Sequence, residues 1–193
     1  MKLRFRSCLL VILALILSLT IGSLPAGAVI QSATVNMSIV STMLNALNVV
    51  TGAAPLNFQQ TFRLSNGTGS GQADVFWSDH RTLAASGTET LDLNGSLSDA
   101  FGATVNLTAV KAVLVCGDAA NTNNVLVGDA ASNAWAAFLG AAGVATVQPG
   151  GCMLAMAPNA GYAVAGGTTD QLKIANSSSG TGISYTIIVL GVE

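Results

Sequence analysis

The stretch Ile183-Ser184-Tyr185-Thr186-Ile187-Ile188-Val189-Leu190-Gly191-Val192 decides the fold class. Read as a strand, it places Tyr185, Ile187 and Val189 on one face and Ile188 and Leu190 on the other. A strand apolar on both faces is covered on both. It is therefore expected at the centre of a sheet or beneath a neighbouring subunit.

Similar runs lie upstream. Gln171–Asn176, Tyr162–Ala165, Cys152–Ala157, Val144–Gln148, Asn124–Val127, Thr88–Leu93, Ala73–Leu83 and Asn57–Leu64 are short and β-like, and Ala103–Cys116 is long enough for one bent strand or two paired ones. Asn94-Gly95, Pro149-Gly150-Gly151 and the glycine-rich Ser65–Gly71 segment punctuate them as turns. Many short strands at such spacing predict an all-β, single-domain antiparallel β-sandwich, jelly-roll-like, over residues 29–193. The Ala-rich segment Ala130–Ala142, with Trp135, Phe138 and Leu139, is expected to be a helical turn or an ordered loop that drops an aromatic plug into the core.

The 29–50 segment reads as an N-terminal arm. Ala33, Val35, Met37 and Ile39 alternate with Thr34, Asn36 and Ser38, which predicts a strand with one apolar face. Val40, Met43, Leu44 and Leu47 then follow helical spacing, so a short helix is expected, ended by Gly52-Ala53-Ala54-Pro55.

Before the arm, Lys2, Arg4 and Arg6 precede an apolar run from Cys8 to Ile21, and Pro25 leads into Ala26-Gly27-Ala28. A charged start, a short apolar stretch and a small-residue exit predict a signal peptide over 1–28, cleaved after Ala28. An uncleaved anchor, or a true start at Met37, is the alternative. The run is short for a bilayer span of ~20 residues. The working protein is then expected to be secreted, extracellular or at the cell surface, without a membrane association after cleavage.

Residues 29–193 keep four basic side chains (Arg63, Arg81, Lys111, Lys173) against nine acidic ones, a net charge of −5. Four scattered cations cannot neutralise a run of phosphates, so no nucleic-acid partner is expected. A soluble surface is usually about a quarter to a third charged; this one is built instead from Ala, Gly, Val, Thr, Ser and Asn. Such a surface suits packing against copies of the same chain. A monomer solubilised by its Ser, Thr and Asn is the plainer reading.

No catalytic, cofactor or metal residues are expected. The single histidine, His80, sits beside Asp79, but neighbours on a strand point to opposite faces, so Asp79 cannot orient it. Asp118, Asn121 and Asn123 lack the carboxylate density of a calcium site and read as a polar turn. Glycines 67, 69 and 71 precede no lysine and do not form a phosphate cradle. Five glycosylation sequons, at Asn36, Asn66, Asn94, Asn106 and Asn176, matter only in a host that modifies them. Cys116 and Cys152 are a possible disulfide in an exported chain, or two buried thiols.

From Gly67 onwards the chain resembles a family of small tailed-phage and prophage virion-associated structural proteins. The resemblance is carried by Gly69-Ser70-Gly71-Gln72-Ala73-Asp74, Asp79–Ser86, Leu91-Asp92-Leu93, Leu97–Thr104 and Val110-Lys111-Ala112. It continues through Asn121-Thr122-Asn123, Val127-Gly128, Pro149-Gly150-Gly151, Ala165–Leu172 and Tyr185–Gly191. It implies a virion structural role and brings no catalytic residues with it. The chain departs from that family in its N-terminal export signal and in Cys116 and Cys152, where ordinary apolar residues are expected.

Two functional expectations follow. The first is a non-enzymatic exported structural subunit that self-assembles as a surface, filament or virion-type component, with residues 29–40 and Ile183–Val192 in the contact. The second is a secreted binding module for glycans or cell surfaces, in which Trp77, Trp135 and Tyr162 form an aromatic contact platform.

Overall fold

The computed structural model describes residue 30 and residues 32–46, 48–140 and 142–193. The expected signal segment lies outside these. The described chain forms thirteen strands and no helix: β1 (Ser32–Ala46), β2 (Thr51–Ser65), β3 (Val75–Leu83), β4 (Thr88–Asp92), β5 (Asn94–Ser98), β6 (Thr104–Asn106), β7 (Ala109–Gly117), β8 (Val125–Gly128), β9 (Val144–Val147), β10 (Cys152–Met156), β11 (Tyr162–Ala163), β12 (Gln171–Asn176) and β13 (Ile183–Val192).

Eight of them make two four-stranded antiparallel sheets, ordered β10-β7-β13-β3 and β4-β12-β8-β9, with β11 extending β7. Through those eight strands, every connection except the β8–β9 hairpin passes from one sheet to the other. The sheets close on one core. Trp77, Val113, Val115, Tyr185, Ile187 and Val189 come from the first, and Leu91, Val125, Val127, Val147, Leu172 and Ile174 from the second. This is a β-sandwich, as the spacing of short strands predicted.

β13 occupies the centre of its sheet, between β7 and β3. Its two faces differ, however. Ile183, Tyr185, Ile187 and Val189 are buried, while Ser184, Thr186, Ile188 and Leu190 are only half-buried. The two-sided burial expected of this strand is therefore half realised, because among the described residues no second sheet covers the outer side and only the base of the β1–β2 hairpin approaches it at Ile188 and Leu190. Its register on β7 shifts between Leu190 and Gly191. A Cβ on Gly191 would lie 2.6 Å from both the Ala109 carbonyl oxygen and Leu107 Cδ2, so the bulge needs a residue without a side chain.

Other elements depart from expectation. Ala103–Cys116 is neither one bent strand nor a pair: it divides into β6 and β7, which sit in different sheets. Asn94-Gly95 is not a free turn but opens β5, which pairs with β6. Within Ala130–Ala142 the described residues form an ordered loop, and Trp135 is the plug. Its Nε1 donates to the Ala163 carbonyl oxygen at 2.9 Å, and its ring lies 5.1 Å from Phe138 and 6.2 Å from Tyr162.

The largest correction concerns the arm. No helix forms at Val40, Met43 and Leu44; all three lie in β1, and Leu47 falls outside the described residues. Gly52-Ala53-Ala54-Pro55 does not terminate an element but lies within β2. β1 and β2 pair in one unbroken register of fifteen residue pairs, from Ser32–Ser65 to Ala46–Thr51. Near the tip both faces of this ribbon are apolar, so the period of two is masked and the spacing mimics a helix. Pro55, opposite Thr42, is tolerated because a strand of a two-stranded ribbon has a free edge that needs no donor.

Candidate functional site

The β1–β2 ribbon stands away from the sandwich, and its chemistry is unequal on its two faces. Directly opposed residues share a face. One face carries Ala33–Leu64, Val35–Phe62, Met37–Gln60, Ile39–Phe58, Ser41–Leu56 and Met43–Ala54. The other carries Thr34–Arg63, Asn36–Thr61, Ser38–Gln59 and Val40–Asn57, turning apolar only at Leu44–Ala53. Thr61 donates to Asn36 Oδ1 at 2.8 Å across the polar face. Arg63 is the one charged residue between 32 and 65.

The apolar face is in solvent. Ile39 is 59% exposed, Phe58 48% and Met43 77%. A two-stranded hairpin is marginal in water on its own, and exposed apolar surface of this extent is what contact sites present, whether to a protein or to a membrane.

The base of the ribbon is held firmly. Ile30, Leu64 and Ala73 are buried in a small second core with Ala33 and Leu190 packed on it. Ile30 N donates to the Asp74 carbonyl at 3.0 Å, and Ala73 N to that of Ser65 at 2.9 Å. Lys111, 2% exposed, reaches from β7 to donate to the carbonyl oxygens of Gly69 and Asn159. Gly71 N donates to the Pro158 carbonyl, so the turn after β2 is tied to the loop after β10.

Where the ribbon leaves the sandwich it overhangs the outer face of the first sheet. A groove of about 450 Å³ opens there, walled by Ala33, Thr34, Val35 and Asn36 and floored by Ala112, Leu114, Leu154, Ile188 and Leu190. The floor follows from cross-strand register: Leu154–Leu114–Ile188–Ser78 form one row and Met156–Ala112–Leu190–Phe76 the next. Neither row contains a charge. The following row is Cys152–Cys116–Thr186–His80, in which Cys116 and Cys152 are joined as a disulfide with Cα atoms 4.1 Å apart.

The residues singled out as an aromatic platform do not make one. Trp77 and Trp135 are buried at 5% and 3% exposure. Tyr162 is half-buried, its ring 5.4 Å from Phe138. Trp77 lies on the inner face of β3 opposite Val189, and Trp135 belongs to the same core, where large rings gain by burial.

His80 lies on the outer face of β3. Its Nδ1 is 3.1 Å from Thr186 Oγ1 and its Nε2 3.6 Å from Asp118. Asp79 turns the other way, to Arg81 Nη1 at 2.7 Å. Arg81 Nε also binds Glu89 at 2.7 Å, and Tyr185 OH donates to the other Glu89 oxygen at 2.7 Å. This cluster ties the two sheets together at one end. Burial first, then the bond to Glu89, raises the Tyr185 phenol far above its ordinary range. Burial lowers the Arg81 affinity for its proton, but its bonds to Glu89 and Asp79 outweigh that, so its pKa is raised.

The Asp118–Asn123 turn spends its side chains on the fold. Asn121 exchanges two hydrogen bonds with Ser184, and Asn123 Nδ2 donates to Asn176 Oδ1 and to the carbonyls of Ser178 and Thr181. Among the described residues no cluster of three His, Cys, Asp or Glu side chains could hold a metal ion.

Among known proteins, no family model, curated protein or solved structure matches this chain.

Proposed function

We propose that this protein is a non-enzymatic, exported structural subunit that assembles with copies of itself. The observation that carries the reading is the ribbon: fifteen paired residues a side, uncharged except at Arg63, with Ile39, Met43, Leu56 and Phe58 in solvent. Leaving that surface wet forgoes about 25 cal/mol for each Å² that a partner would cover. The low charge of the whole chain adds little repulsion against association.

The alternation of strands between sheets supports a jelly-roll topology, an architecture that recurs in capsid and lectin domains. That analogy, like the resemblance to phage virion proteins, concerns architecture and not activity. The Cys116–Cys152 disulfide supports export, since such bonds persist in oxidising compartments.

Light scattering on the full chain, expressed with its own N-terminal segment and purified from the exported fraction, tests the assembly reading. The expected result is a mass several times that of one chain, with Val29 as the first residue by terminal sequencing. A monomer at high concentration would overturn self-assembly, and full-length protein retained in the cytoplasm would overturn export.

A further inference from the structure

We propose that the apolar face of one copy's distal ribbon, the ten pairs from Met37–Gln60 to Ala46–Thr51, lies in the groove over the outer face of β10-β7-β13 of a second copy. This rests on the self-assembly reading and names its two contacting surfaces.

A ribbon cannot fill its own groove. Its register runs unbroken from base to tip, without a bulge at which it could double back, so of its described residues only those at the base, Ala33, Thr34, Val35 and Asn36, line the groove. The distal half projects from the body. Ten residues of strand span ~33 Å, about the diameter of a globular body formed by residues 66–193, whose radius of gyration is ~14 Å. The free end is thus long enough to cross the whole sheet face of a neighbour.

The two surfaces match in chemistry. The floor offers Leu114, Leu154, Ile188 and Leu190, and the ribbon offers Met37, Ile39, Leu56 and Phe58. Neither carries an ionic group, so contact strands no charge away from water. The polar face of the ribbon, Asn36, Ser38, Gln59 and Thr61, then remains outward in solvent.

Area decides how copies must be arranged. A ribbon ~33 Å long and two strands (~10 Å) wide covers only ~330 Å² of footprint. That is well below the ~800 Å² per partner of a standard interface. A copy that buries both its ribbon and its groove doubles the footprint to ~660 Å² and approaches that size. A one-way pair is therefore too small; a reciprocal dimer, ring or filament is required, in which every copy gives a ribbon and receives one.

The test places the photocrosslinker p-benzoyl-phenylalanine at position 58 of the full chain and maps the captured peptides by mass spectrometry. Light scattering runs in parallel on Ile39→Asp with Phe58→Asp, and separately on Leu154→Asp. Circular dichroism and an intact Cys116–Cys152 bond serve as fold controls. Capture of β7, β10 or β13 peptides from a second copy, with both variants falling to the mass of a single chain, supports the proposal. An assembled wild type whose crosslinks map elsewhere overturns the ribbon-in-groove contact and leaves self-assembly standing. A monomeric wild type overturns both. A wild type that crosslinks instead to added phosphatidylcholine vesicles overturns the second copy in favour of a lipid surface. Should Leu154→Asp fail the fold controls, the crosslink map alone decides.

Discussion

Lys111 Nζ lies 2.6 Å from the carbonyl oxygen of Asn159, buried at the point where the ribbon joins the sandwich. Its second bond, to the Gly69 carbonyl at 3.2 Å, makes one ammonium the tie between β7, the turn after β2 and the loop after β10. The body is thereby fastened to the turn that follows the ribbon's second strand.

Replacing Lys111 by Met keeps most of the stem and removes both bonds. The carbonyls of the exposed residues Gly69 and Asn159 lose a charged donor that water replaces only in part, and the loss is offset in part because an ammonium no longer has to be buried. The expected net loss is about 1–3 kcal/mol, read as a lower urea midpoint. Limited proteolysis within 66–71 should also quicken. An unchanged midpoint and cleavage rate would show that the tie is dispensable.

The Cys116–Cys152 bond closes a loop of sequence separation 36. Chain entropy assigns such a closure roughly 4 kcal/mol. The double variant Cys116→Ala with Cys152→Ala should retain its β-type circular dichroism and melt at a markedly lower temperature. Because the two cysteines are also directly paired across β7 and β10, the strands should stay in register without the bond.

Trp77 and Trp135 are the two tryptophans of the chain, and both are buried. Iodide should therefore quench little of the native emission and most of the emission after unfolding. Trp135→Ala should cost about 3–5 kcal/mol by emptying a core site, and Trp135→Phe less. Strong native quenching by iodide would return both rings to the surface.

Tyr185 supplies a pH dependence. Its phenol has an ordinary pKa of 10.0 and is raised in the fold by burial and by the bond to Glu89. The unfolded chain thus releases this proton at lower pH than the folded one. Stability from this group is complete below pH 10 and falls as pH rises above it toward the folded value. In a Tyr162→Phe background, the ultraviolet signal of tyrosinate should appear only as the protein unfolds. A tyrosinate signal near pH 10 with folded circular dichroism would refute this.

Much of the sandwich is legible along the chain. Gln171–Asn176, Val144–Val147 and Cys152–Met156 are strands where alternation and turn residues put them, because each buries one face against the same core. Val40, Met43 and Leu44 mislead for the opposite reason: among the described residues nothing covers either face of the distal ribbon, so no single period governs it. The groove has no linear signature either. Leu114, Leu154 and Ile188 come from three strands and meet through register alone.

What the amino-acid order determined by itself is the strand content, the lack of charge and the apolar residues of the arm. These are local properties, set by side-chain type and spacing. Tertiary structure decided which apolar face became core and which remained outside. Val189 and Ile188 are neighbours of similar hydrophobicity, yet one is buried in the sandwich and the other floors the groove. The second sheet packs against only one side of β13, and pleating sends adjacent side chains to opposite sides.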